Sequence, residues 1–553
     1  MNCKNQTPTN VPDRRSFLAY FSGLGLSSTL FPGVLWAKLA AQTFALQNPK
    51  PKHSAGNSIT KSMLREAAAV AGLSFTDSQL DHMLEGVNKL LPVYDDLRKV
   101  QLDNSVAPAL NFNPILPGIK IDRTKRAIRT RAPESVDRPK NLEDAAYWPV
   151  TQLAELIRTK LATSVELTEM YLARLKRLNP KLLCAVTITE DLAMRQARQA
   201  DQEIAAGHYR GPLHGIPWGV KDLYAAKGYP TTWGAAPFKN RVIDMDATVV
   251  SRLADAGAVL IAKLSTGELA LDDIWFGGQT KNPWDFSMGS QGSSAGPGSA
   301  TAAGCVGFSM GTETHGSIIA PSAICGVTGL RPTFGRVSRH GIMALSWSCD
   351  KSGPMCRSVE DCALVLDAIN GPDDYDLAVQ DIPFNWDANL DMSKLRVGYL
   401  KAAFEDTRQS PQVNANDAAA LHDPFETRPA ELVRQDEVVA QNSYRLLPAT
   451  EYVNANRVRT LLMREMARLM TDIDAYIVPF DYGDYTPNPV ASLNSSVTNL
   501  TGHPCVGVPH GFDEKNHPTS LTFIGKLYGD AEMLALARAY QESTDWHRKH
   551  PNL

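Results

Sequence analysis

Between Gly289 and Pro321 the chain places six serines (Ser290, Ser293, Ser294, Ser299, Ser309 and Ser317) in a stretch dense in glycine and poor in charge. A serine hydroxyl is a weak nucleophile until a base takes its proton. A candidate base lies upstream. Lys221 sits in the mostly apolar segment "GIPWGVKDL", 72 residues before Ser293, and Ser317 follows Ser293 by another 24. Apolar surroundings disfavour the ammonium form and leave an amine able to accept a proton. The plainer alternative for Lys221 is a surface ion pair with Asp222. Gly292 to Gly296 also fits G-x-S-x-G, with Ser294 as the nucleophile of an α/β-hydrolase-type esterase. That elbow needs a hydrophobic strand just before it, whereas "KNPWDFSMGSQ" reads as a turn. A flexible linker is excluded by "SATAAGCVGFSM", which is apolar enough to be buried.

The elements that must position these residues follow from periodicity. Residues 61–100 read as two helices separated near Gly72 to Asp77, with Thr76 or Asp77 as N-cap. Residues 101–145, rich in Pro, Asn and Arg, are expected to wrap over the surface. From about residue 147, "VTQLAELIRTKLATSVELTEMYLARLKRLNP" predicts two helices with a break near Ala162-Thr163-Ser164. "LLCAVTIT" predicts a strand, "EDLAMRQARQADQEIAAG" a helix stopped by Gly207, and "TVVSRLADAGAVLIAKL" a helix then a strand. Short apolar strands follow in "LRVGYL", "DAYIVP", "CVGVP" and "TSLTFIGK", and "DAEMLALARAYQES" is the last helix. This alternation argues an α/β sheet covered by helices on both faces. Residues 401–440, polar and poor in apolar side chains, read as an insertion or lid.

Four segments together resemble the amidase signature family: "GPLHGIPWGVKDL", "TKNPWDFSMGSQGSSAGPGSATAAG", "GTETHGSIIAPSAICGVTGLRPTFGRVSRHGI" and "SGPMCRSVEDCALVLDAI". The resemblance runs over roughly 150–550. It implies a mixed β-sheet core with helices on both faces and an N-terminal helical arm. It also implies amide hydrolysis through Ser317 as nucleophile, Ser293 as bridging serine on a cis peptide bond, and Lys221 as base. The oxyanion donors would be the backbone N–H groups of Thr314, His315, Gly316 and Ser317, with Ser294 in support. No metal or other cofactor is implied. The family often has glycine where this chain has His315, arginine where it has Ile319, and aspartate where it has Glu313. The His315 imidazole is expected either to face the substrate or to make a structural hydrogen bond. Ile319 weakens any carboxylate clamp at that position.

Other conspicuous residues get plain readings. Trp284 is expected to close a turn and pack, and Asp545-Trp546-His547 to pack at a helix end. Asp272-Asp273, near Trp275, is expected in a solvated loop bordering the pocket, with metal ligation the lesser alternative.

The bulk numbers agree with an enzyme of small partners. The chain has 553 residues, 43% hydrophobic and 21% charged, with net charge −3. No broad basic field marks it for nucleic acid. Its eight cysteines show no zinc spacing and are expected as buried thiols, a Cys349–Cys356 or Cys356–Cys362 bridge being the alternative. Residues 1–41 carry Arg14-Arg15, an uncharged span to Lys38 and then small residues. That order resembles a twin-arginine export signal and predicts a periplasmic protein, with an uncleaved membrane anchor as alternative. Expected organisation is the signal (1–41), a linker and helical arm (42–146) and the catalytic domain (147–553). Expected partners are a small-molecule or peptide amide and the export machinery; a homodimer is left open. Two alternatives stand beside the amidase. One is the glutamine-hydrolysing component of a tRNA-dependent amidotransferase, which works in the cytoplasm. The other is a non-catalytic binding protein on the same fold.

Overall fold

A computed structural model describes residues 58–102, 106–131, 135–405, 446–480 and 489–553. The proposed signal, the first part of the linker and most of the 401–440 insertion lie outside the described residues. Apolar residues at helical spacing build the arm. Helix α1 (Lys61–Val70) and helix α2 (Asp77–Lys99) flank the turn at Gly72, and Thr76 caps α2 with a reciprocal bond to Gln79. α2 continues through Pro92.

The region expected to carry the site starts with α3 (Val150–Arg158) and α4 (Ser164–Leu182). Thr163 separates them. Its hydroxyl accepts from Glu166 N at 3.1 Å and its own N–H donates to the Glu166 carboxylate at 2.8 Å. This closed box satisfies two otherwise orphaned amides and fixes where α4 begins. Ser164 then ties α4 to the carbonyl of Gly215 at 2.8 Å, just ahead of the strand that carries Lys221.

Strands β1 (Ala185–Ile188), β2 (Pro217–Lys221) and β3 (Val259–Leu264) form one end of a ten-stranded sheet. Two small ribbons follow, β4 (Ile274–Trp275) with β5 (Gly278–Gln279) and β6 (Lys281–Asn282) with β7 (Asp285–Gly289). The sheet resumes with β8 (Phe308–Glu313), β9 (Thr328–Arg331), β10 (Lys351–Cys356), β11 (Val397–Tyr399), β12 (Ala475–Pro479), β13 (Cys505–Phe512) and β14 (Pro518–Gly525). Its order is β1-β3-β2-β8-β10-β9-β13-β14-β12-β11. β2 runs parallel to both neighbours, β3 and β8, and β11 runs parallel to β12, while the other pairs are antiparallel. The fold is therefore the mixed α/β sheet expected. All residues of β2, β3 and β10 are buried, as befits strands covered on both faces.

The covering helices are α5 (Glu190–Ala205), α6 (Thr248–Asp255), α7 (Ala295–Ala302), α8 (Ile319–Cys325), α9 (Val359–Ile369), α10 (Lys401–Glu405), α11 (Ala449–Leu469), α12 (Pro489–Thr501) and α13 (Asp530–Thr544). The arm packs Val93, Leu97 and Val100 against Val458 and Leu462 of α11 and Leu493 and Val497 of α12. Trp284 donates to the Cys325 carbonyl at 2.8 Å and meets Phe512 edge-on; Trp546 packs on the same Phe512. The seven described cysteines are free and buried, so Cys349, Cys356 and Cys362 form no bridge.

Thr163→Ala removes one half of the capping box. It is expected to lower stability by about 1 kcal/mol, read as a shift of the urea midpoint at unchanged slope.

Candidate active site

β2 ends at Lys221 and β8, its parallel neighbour, ends at Glu313, so both strands release their C-terminal residues on the same edge. The glycine-rich loop before α7 crosses over that edge. Gly292 is required there: a Cβ would stand 1.7 Å from the Asp272 carbonyl oxygen. The Gly292–Ser293 peptide bond is cis. Ser293, only 2% exposed, presents its Oγ 2.8 Å from Lys221 Nζ. Lys221 Nζ also donates to Thr312 Oγ1 at 2.9 Å.

Lys221 is fully buried and makes no ion pair with its neighbour in sequence. Asp222 instead pairs with Lys263 of β3 at 2.6 Å and accepts from Thr232 N at 3.0 Å, on the opposite side of the strand. The surface-pair alternative is thereby overturned, because successive residues of a strand face opposite ways. Burial pushes the Lys221 ammonium well below the ordinary lysine range, against the more distant pull of Asp350 and Glu313. Burial thus favours the neutral amine over the ammonium.

Ser317 follows β8 and is half-buried. Its carbonyl accepts from Ser294 N at 3.1 Å, which holds the two serine loops edge to edge. The Ser317 hydroxyl donates no hydrogen bond among the described residues. Ser294 is wholly buried: its Oγ donates to the Thr312 carbonyl at 3.1 Å and accepts from Thr312 N at 3.2 Å. It supports β8 and has no access to a substrate, which removes the elbow reading. Of the other serines, Ser299 bonds the Lys281 carbonyl and Ser309 that of Pro297.

The nucleophile loop is held by carboxylates at both ends. Glu313 accepts from Ile318 N (2.9 Å), Ile319 N (3.0 Å), Arg331 (2.8 Å) and Asn499 of α12 (3.0 Å). Burial alone would raise its pKa. The Arg331 guanidinium and the Lys351 ammonium, with the Ile318 amide, hold it instead at about 2. Thr314 donates to Asp350 at 2.6 Å, and Asp350 also accepts from Leu345 N and Ser346 N. With Glu313 and Asp350 in place, the amides of Thr314, Gly316 and Ser317 donate to no other group among the described residues. Gly316 adopts φ +79°, where a side chain is strained. His315 Nε2 meets Ser496 Oγ of α12 at 2.9 Å, the structural of its two expected roles. Ile319 is buried in the apolar cluster around α8. Beside Thr312 and Thr314 a small pocket is walled by Leu223, Ala270, Ile342, Met343 and Leu345, with Trp347 at its rim.

One expectation needs correction. Asp273 does not lie in a solvated loop; it is 3% exposed and accepts from Gln291 N at 3.1 Å, beneath the serine loop. Among the described residues no cluster of His, Cys, Asp and Glu could hold a metal ion. Sequence reasoning missed Thr312, Asp350, Lys351, Ser496 and Asn499. Thr312 lies inside the motif "GTETHGSII", Asp350 and Lys351 adjoin "SGPMC", and Asn499 opens "NLTGHPCVGVPHGF", which also resembles the family; Ser496 carries no local signal.

With this geometry in hand, comparison with known proteins is direct. The family model described as Amidase matches residues 166–450. In Carboxydothermus hydrogenoformans the A-subunit of glutamyl-tRNA(Gln) amidotransferase is 32% identical over 482 residues, covering 74% of this chain and 99% of that protein. The protein of the same name from Roseiflexus sp. is 35% identical over 466 residues, covering 71% and 95%. The solved peptide amidase of Stenotrophomonas maltophilia is 29% identical at TM-score 0.60, covering 74% of this chain and 99% of that one. The chain belongs to the amidase family, the amidase signature group that its motifs resemble.

Glu313 gives a pH test. Its carboxyl is depressed from an unfolded value of about 4.3, so it stabilises the fold above that value, and the contribution is lost as pH falls toward about 2. Glu313→Gln is expected to lower the melting temperature near neutral pH and to flatten the acid limb between those two values.

Proposed function

We propose that the chain hydrolyses a carboxamide C–N bond with Ser317 as nucleophile, Ser293 as proton bridge and Lys221 as base. The observation that carries this reading is the 2.8 Å contact between Ser293 and a buried lysine that has no carboxylate partner among the described residues, with the half-buried Ser317 on the loop bonded to Ser294. Neutral Lys221 takes the Ser293 proton as Ser293 takes that of Ser317. The Ser317 oxygen then bonds the amide carbon. The carbonyl oxygen, now anionic, lies toward the N–H groups of Thr314, His315, Gly316 and Ser317; each preorganised donor is worth about 3 kcal/mol. The proton returns through Ser293 to the nitrogen, the C–N bond breaks, and ammonia or an amine leaves. Water, deprotonated by the same relay, cleaves the ester and restores Ser317. Ser317→Ala is expected to lower kcat by about 10⁴-fold or more, and a fluorophosphonate should label Ser317 and not Ser294. Ser294→Ala should retain activity. Because Lys221 works as the neutral amine, the rate should fall as pH drops through its depressed pKa.

Two substrate classes divide the support. Glutamine is favoured by the curated relatives, which are named as amidotransferase A-subunits and are matched over 95–99% of their length. A linear or peptide amide is favoured by the likeness to a peptide amidase and by the buried Ile319 in place of a charge. Ammonia release from glutamine, set against C-terminal peptide amides and aryl amides, decides between them. The N-terminal sequence supports a further proposal, export by the twin-arginine route, which would exclude the cytoplasmic amidotransferase component. Fusing residues 1–41 to a reporter tests it: replacing Arg14-Arg15 by lysines should abolish periplasmic signal, and an unexported reporter sinks the proposal.

A further inference from the structure

Among the contacts that fix the nucleophile loop from outside β8 are Asp350 on Thr314 and Asn499 on Glu313. Each stands close to a residue held by a single side chain, Arg459 of α11. Its Nε donates to the Leu500 carbonyl at 2.7 Å, next to Asn499. Its Nη2 donates to the Ser348 carbonyl at 2.7 Å and its Nη1 to Ser348 Oγ at 2.9 Å, two residues before Asp350. Cys349 Sγ completes this side at 3.7 Å.

Arg459 is 1% exposed and has no carboxylate partner among the described residues. A buried guanidinium without an anion is costly unless its N–H groups are met by carbonyls and its face by an aromatic ring. Both conditions hold. The ring is Phe112, whose centroid lies 3.5 Å from the guanidinium carbon. Phe112 belongs to the arm, and the arm is fastened to α11 around it. Ala109 N donates to Asn456 O at 3.2 Å, Thr460 Oγ1 to Ala107 O at 2.6 Å, and Arg457 Nε to Val106 O at 2.9 Å. Phe112 and Arg459 both lie outside the segment 166–450 that the family model matches.

We propose that Arg459 is a positioning residue for the nucleophile loop, and that the arm, through Phe112, is the cover that keeps it in place. This role rests on the hydrolase reading above. Arg459 touches no reacting atom. It sets the separation between the Ser348–Asp350 turn and the end of α12, and with it the direction of the amides between Thr314 and Ser317. A polar or ionic lock of this kind cannot be replaced by packing alone. Lysine, with one compact ammonium, reaches only part of the set.

The test uses the full chain and the variants Arg459→Met, Arg459→Lys and Phe112→Leu. Three quantities are measured well below each melting temperature: the rate of Ser317 labelling by a fluorophosphonate, kcat and KM. Arg459→Met and Phe112→Leu are expected to slow labelling and kcat by about 10-fold or more, as misplaced donors do. KM should change far less, and Arg459→Lys should recover part of the loss. Phe112→Leu, which keeps an apolar filler, decides the matter even where Arg459→Met fails to fold. Labelling and kcat at the unaltered rate in Phe112→Leu, with only the melting temperature lowered, overturn the proposal and leave Arg459 as a fold element. Absence of Ser317 labelling in the unaltered chain is a different failure: it refutes the hydrolase reading itself.

Discussion

A lysine side chain surrounded by hydroxyls and carbonyls, sealed from solvent and without a carboxylate in contact, is cheapest to hold as the neutral amine. Everything else in this site depends on that condition at Lys221. An anion in contact would restore the ammonium and remove the base; bulk solvent would do the same by solvating it. The fold meets the condition by topology. β2 lies inside the sheet between two parallel neighbours, so its last residue is covered on all sides. The one carboxylate next to Lys221 in sequence points to the other face, where Lys263 neutralises it. In the proposed reaction that second lysine acts indirectly: it occupies an anion that would otherwise hold Lys221 as the ammonium.

The nucleophile loop presents the converse problem. There the chain needs fixed charge. Glu313 gathers two loop amides, a guanidinium and a side-chain amide, and Asn499 passes the contact on to Lys351 at 2.7 Å. Burial, with Arg331 nearby, pushes the Lys351 pKa down to about 7. Among the described residues Arg331 Nε has no partner, while the other Arg331 nitrogens and the Glu313 carboxylate are met, and a well-met buried network is rigid. Rigidity is what oxyanion donors require, since their orientation before the reaction is what distinguishes them from water. Glutamate where the resembled family has aspartate is tolerable because its longer reach is taken up by four partners.

Much of this was legible in the sequence. The helix break near Thr163, the Thr76 cap and the strands at 185–188, 259–264 and 505–509 announce themselves through local rules that the fold does not override. Lys221, Ser293 and Ser317 were legible because types and spacing matched a known pattern. What was not legible falls into two kinds. β8 and β10 are rich in Ser, Gly, Thr and Met and carry no period-two signal, since both faces are buried and alternation is lost. Asn499 and Asp350 are joined to the loop by contacts spanning 186 and 36 residues, which periodicity cannot register. The plainer alternative, a Lys221–Asp222 pair, fails for the opposite reason: adjacency in a strand means separation in space. Asp273 looked solvated because two acids adjoin, yet its backbone partner at Gln291 keeps it buried.

These parts are not spread evenly along the chain. The triad residues, Glu313 and Asp350 all lie within 166–450, the matched segment. Ser496, Asn499 and Arg459, and the arm that covers Arg459, lie outside it. The two residues at which the nucleophile loop departs most from the resembled pattern, His315 and Ile319, sit at the boundary between these sets. His315 contacts Ser496 of α12, and Ile319 packs into the cluster that α8 shares with β12 and β13. Both contacts tie the loop to elements that follow residue 450 in the chain. The matched segment thus carries the candidate triad, while contacts that orient the loop around it are drawn from chain on both sides of that segment.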